Sequence, residues 1–107
     1  MSTELHIDYL WVPHALGGHR AEPYAGMRST IRWQRYLQEH LERARDVECT
    51  RISFDPGSLR GSATVRLISD APVPPQWLQE GNLIELLDGY KVIAVGRIVS
   101  TGPRAAR

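Results

Sequence analysis

Cysteine is nearly absent from this chain. Cys49 is the only one in 107 residues, so no disulfide can form within it. Stability must come from core packing, which suits a reducing compartment. Lysine is as scarce: twelve of the thirteen basic residues are arginine, and Lys91 is the exception. Long apolar runs are missing too. The longest, near Val92 to Val95, falls far short of a membrane span. The start, Met1-Ser2-Thr3-Glu4, has no basic segment leading into an apolar one, so no secretory signal is expected. These absences predict a cytoplasmic protein with no membrane partner.

Catalytic motifs are also lacking. There is no GxxxxGK[ST] and no GxGxxG; Gly17-Gly18 runs into His19-Arg20 without further glycines. No nucleotide cofactor is therefore expected. No serine sits in a nucleophile elbow. Cys49 lies mid-strand with no histidine assigned to it, which fits a small buried core residue. His14 and His19 share one loop region, but no third ligand joins them, so no metal is expected. The prediction is a non-enzymatic protein without cofactors.

What is present is an ordinary globular composition, 42% hydrophobic and 23% charged, on a length that allows one domain. Nine glycines and seven prolines cut the chain into short segments. Leu5 to Val12 has strand character and stops at Pro13. A long loop opens at Gly17-Gly18 and runs to Gly26. Met27 to Trp33 alternates, with Met27, Ser29, Ile31 and Trp33 on one face and Arg28, Thr30 and Arg32 on the other. Further strands are predicted over Val47 to Phe54, Ala63 to Ser69, Asn82 to Leu87 and Tyr90 to Ser100. Asp55-Pro56-Gly57 and Asp88-Gly89 supply turns. Trp33, Tyr36, Leu37, Leu41 and Ala44 fall at helical spacing, which predicts a short amphipathic helix over 36–46. The fold expected is all-β: a small closed barrel of six antiparallel strands over 5–100, with one inserted helix near 36–46. Residues 1–4 and 101–107 are expected to be flexible.

Total charge is close to balanced at +1, but its distribution is not. Between 17 and 35, Arg20, Arg28, Arg32 and Arg35 are set against Glu22 alone. Arginines beside Tyr24 and Trp33 fit a phosphate or RNA footprint. They fit equally a solvated barrel wall with ion pairs to Glu39, Glu42 or Glu48.

Three stretches carry a resemblance. Gly17-Gly18-His19-Arg20-Ala21-Glu22-Pro23-Tyr24-Ala25-Gly26-Met27-Arg28 resembles the entry to the C-terminal β-barrel domain of elongation factor Tu. There a Gly-Gly pair with basic residues, a proline and an aromatic leads to Gly-Tyr-Arg. Arg60-Gly61-Ser62-Ala63-Thr64-Val65-Arg66-Leu67 is similar to that family's Pro-Gly-Asp strand entry. Glu80 to Val99 is similar to its final hairpin, with an acidic-Gly turn and a Val-Gly-x-Gly-x-Val end. The three occur in the family's order. Departures are Met27-Arg28-Ser29-Thr30 for Tyr-Arg-Pro-Gln, and Asp88-Gly89-Tyr90-Lys91 for Glu-Gly-Gly-Arg. The GTPase domain and the middle barrel have no counterpart here, so a relative of that single domain is expected.

The resemblance implies partners. In the family this barrel touches the T stem of tRNA, the GTPase domain and the exchange factor. Its tRNA-facing positions correspond to Thr30, Asp88 and Gly89, beside Arg28, Arg32 and Lys91. The expected function is a binding module contacting RNA or tRNA through Arg20, Arg28, Thr30, Arg32, Arg35, Asp88, Gly89 and Lys91. The alternative is docking to a GTPase, translation factor or other protein partner, with Leu37 and Leu41 of the helix at the surface.

Overall fold

The computed structural model describes residues 3–33, 44–68 and 73–101. They form six strands: β1 (Glu4–Trp11), β2 (Met27–Trp33), β3 (Arg45–Asp55), β4 (Arg60–Leu67), β5 (Leu83–Asp88) and β6 (Lys91–Thr101). The strands close into a barrel in the order β1-β4-β3-β2-β5-β6, and β6 returns to β1. Every pairing is antiparallel. The closed six-stranded barrel read from the sequence is the fold observed.

Alternation builds the wall. Leu5, Ile7, Tyr9 and Trp11 of β1 point inward and are buried, as are Met27, Ile31 and Trp33 of β2. Val47 and Cys49 of β3, Val65 and Leu67 of β4, Ile84 and Leu86 of β5, and Ile98 of β6 complete the layer. Cys49 is wholly enclosed, and burial pushes its thiol up to about 11. It is a core residue, as its mid-strand position predicts.

Bulges break the alternation where the barrel must bend. The β3–β4 register shifts between Cys49 and Arg51. Thr50 is the extra residue, so the inward set moves from Val47 and Cys49 to Ile52 and Phe54. A second shift, between Leu86 and Leu87, leaves Ile93 and Ala94 both buried although they are adjacent.

Three expectations need correction. Arg45 and Asp46, predicted as the end of a helix, begin β3; residues 36–43 of that predicted helix lie outside the described residues. Glu4 and Thr101, each one residue outside the predicted strands, are the first residue of β1 and the last of β6. Strand β4 starts at Arg60, three residues before the expected alternation, because Gly61 and Ser62 pair with β1 and β3 on both sides. Trp77, on a single 3-10 turn over Pro75–Leu78, is fully buried and packs against Trp33, with ring centroids 5.0 Å apart and the rings tilted by 44°. That turn lies between strands, where pleat periodicity gives no signal. Among the described residues no helix is long and apolar enough to cross a membrane.

Candidate functional site

Three connections meet at one end of the barrel: the loop from β1 to β2, the β3–β4 turn and the β5–β6 hairpin. Antiparallel order dictates this, since β1, β3 and β5 all run toward that end. Trp11 N–H donates to Leu59 O (2.7 Å) and Val12 N–H to Ile93 O (2.8 Å), which fastens the β1 terminus to both neighbours.

The loop is tightly built. Pro13 ends the strand, and His14–Leu16 make one 3-10 turn. Gly18 then folds back on Val12. A Cβ at Gly18 would lie 1.8 Å from Val12 O, so no other residue fits there. His19 N–H donates to the same carbonyl (3.1 Å). The Trp11 ring forms the floor: its Nε1 donates to Ala21 O (3.2 Å), and the His19 and Phe54 rings lie 5.8 and 6.3 Å away.

His19 joins loop to hairpin. His19 Nδ1 lies 3.1 Å from Ala21 N and 3.3 Å from Ala21 O, so the ring is held against the Ala21 backbone. Nε2 lies 3.6 Å from Asp88 Oδ2. Asp88 is the last residue of β5, and Gly89, at φ 64°, closes the hairpin with a conformation that favours glycine. His14 and His19 are not joined by a third ligand, and among the described residues no group of three His, Cys, Asp or Glu could hold a metal.

This end displays exposed side chains. Tyr90 at the hairpin tip is fully exposed, Leu16 is 75% exposed and Tyr24 57%. Arg20, Arg28 and Lys91 are exposed beside them. Among the described residues none of the three cations has a carboxylate within ion-pair distance.

The sequence-predicted residues therefore divide. Asp88, Gly89 and Lys91 form the β5–β6 hairpin at the loop end, and Arg20 follows His19 in the β1–β2 loop. Arg28 is the second residue of β2 and stands opposite Glu48, and Thr30 lies farther along β2, opposite Leu87. Thr30 Oγ1 donates weakly to Asp46 Oδ1 (3.4 Å). Arg32 is held elsewhere: its Nε and Nη2 both donate to Glu85 Oε1, at 2.9 and 2.6 Å, with the Glu85 side chain only 12% exposed. Arg35 lies outside the described residues. Trp33, expected among surface aromatics, is buried, because it shares the inward face of β2 with Ile31. Tyr90 and Leu16 are not singled out by the sequence reading, although a tyrosine in a two-residue hairpin turn is itself a signal of exposure.

The wall differs from the end. Arg28, Glu48, Arg66 and Glu4 stand in register across β2, β3, β4 and β1, and Arg66 pairs with Glu48. On the far side, a shallow groove of about 790 Å³ is lined by Leu10, Leu83, Val95, Arg60 and Arg97. Tyr9 lies beneath it. Its hydroxyl donates to Ser53 O (2.8 Å), and burial pushes its pKa up to about 12, so it is neither a nucleophile nor a base at neutral pH. Neither family models nor curated proteins match this chain.

Proposed function

We propose that the chain is a non-enzymatic binding module of the elongation factor Tu C-terminal-barrel type, acting in the cytoplasm and contacting RNA with its loop end. One observation carries the reading: exposed Tyr24 and Tyr90 share that end with Arg20, Arg28 and Lys91, which have no counter-ion among the described residues. Aromatic faces stack on bases, and arginine and lysine neutralise phosphate. The pinned loop lowers the ordering cost of binding. Arg32, tied to Glu85, contributes less than its position in the sequence implies.

The test is fluorescence anisotropy of a labelled tRNA and of a labelled single-stranded RNA, across a salt series. Binding should weaken steeply as salt rises. Tyr90→Ala and Lys91→Ala should each weaken it without changing the fold. No binding at low salt overturns the reading. A second reading, docking to a GTPase or another protein partner, is favoured by the uncovered apolar row Leu10, Val95 and Leu83. Leu10→Asp would abolish that docking and leave RNA binding intact.

A further inference from the structure

We propose that the uncovered edge of β3 pairs with the same edge of a second copy of this chain. Strand β3 has eleven residues and β2 has seven. Their pairing runs from Ile31 opposite Arg45 to Met27 opposite Cys49, and Gly26 N–H caps it on Cys49 O (2.7 Å). From Thr50 to Asp55, β3 is paired with β4 on one side. On the other side, no strand or loop backbone among the described residues hydrogen-bonds to it. Among those residues the barrel is closed below this point and open-edged above it.

The side chains there suit a further strand. After the bulge at Thr50, Ile52 and Phe54 face the core but are only half-buried. A neighbouring strand would cover their flanks. Arg51, Ser53 and Asp55 face outward and are exposed. Open edges of this kind are templates for pairing. Here the edge carries one charge of each sign, Arg51 and Asp55.

Their spacing selects the occupant. Arg51 and Asp55 stand two residues on either side of Ser53. In an antiparallel pair around a two-fold axis at Ser53, each Arg51 lies opposite the Asp55 of the other copy, and both pairs attract. A shift of the axis by one residue destroys both pairs. The β3–β4 turn restrains the Asp55 carboxylate: its Oδ1 accepts from Gly57 N–H (3.1 Å) and its Oδ2 from the Ser58 hydroxyl (2.7 Å), and each oxygen keeps a lone pair for a cation. The same pairing covers Ile52 and Phe54.

Sedimentation equilibrium of the full chain, from micromolar to millimolar concentration, tests this. The mass should rise from 12.1 kDa toward twice that value. Arg51→Glu and Asp55→Lys should each weaken the dimer by roughly tenfold or more, because both pairs become repulsive. An equimolar mixture of the two variants should restore it as a heterodimer. There the new carboxylate of one variant faces the new ammonium of the other, and the remaining Asp55 faces the remaining Arg51. That rescue requires both variants to fold, and circular dichroism checks this. If Asp55→Lys disturbs its turn, Arg51→Glu alone still decides. A wild-type mass that stays at 12.1 kDa overturns the proposal and leaves the edge to a strand of another protein. So does a dimer that Arg51→Glu leaves unchanged.

Discussion

The wall and the loop end of this barrel treat charge in opposite ways. Three wall arginines meet carboxylates: Arg32 with Glu85, Arg66 with Glu48, Arg97 with Asp8. At the end, Arg20 and Lys91 stand without a counter-ion among the described residues. Cross-strand neighbours stand about 5 Å apart, but register alone does not close a pair: Arg28 stands opposite Glu48 and Lys91 opposite Asp88, and neither comes within ion-pair distance. Local arginine density therefore does not tell paired from unpaired charge.

The comparison breaks most severely if the end loses its floor. Trp11→Ala should cost about 3–5 kcal/mol in urea unfolding and remove RNA binding with it. Trp11→Phe keeps a ring but drops the Nε1 donor to Ala21 O, and should cost about 1 kcal/mol. RNA binding unaffected by either change would separate the loop end from function.

The wall is tested through Glu85. Glu85→Ala leaves Arg32 half-buried without its acceptor, and should cost about 2 kcal/mol. It should also strengthen RNA binding, because Arg32 becomes available to phosphate. A stability loss with no gain in binding would confine the RNA surface to the loop end.

The interior supplies a pH test. Burial raises Cys49 from 9.0 to about 11 and Tyr9 from 10.0 to about 12. Both groups are neutral when protonated, so the folded chain holds protons that the unfolded chain releases. The stabilisation is complete below about pH 9 and is lost as pH rises through about 11 to 12. Thermal unfolding across that range should show the decline, and Cys49→Ala should flatten it. A thiol reagent should modify Cys49 only on unfolding.

The smallest effect on stability belongs to the end's own charges. Arg20→Ala and Lys91→Ala should each change stability by less than about 0.5 kcal/mol. Each should still lower the salt dependence of RNA binding by roughly one counter-ion. Equal loss of binding on truncating Arg32 would remove the distinction between wall and end.

Much of the wall is legible in the sequence. Met27 to Trp33 alternates as observed, because in-and-out placement is a property of the pleat and needs only the strand itself. The Asp88-Gly89 turn is legible for a similar reason: a tight hairpin needs positive φ, and glycine supplies it. Trp77 is not legible, because a residue on a connecting turn is buried by what lies beneath it. Tyr24 and Trp33 are close in sequence, yet one is exposed and the other enclosed. Nearness along the chain does not tell the inner face of a strand apart from a loop.

The sequence by itself determined the number of strands, their order along the chain, the face that β2 buries and the enclosure of Cys49. These depend on local alternation and local turns. Only the tertiary structure decided which charges meet. Arg32 and Glu85 are 53 residues apart and become neighbours because β5 closes onto β2. It also decided that Trp11 carries the loop, that Thr50 shifts the register of β3, and that residues 50–55 of that strand extend past β2. Each depends on strand pairing between distant segments, and pairing is settled by closure of the whole barrel.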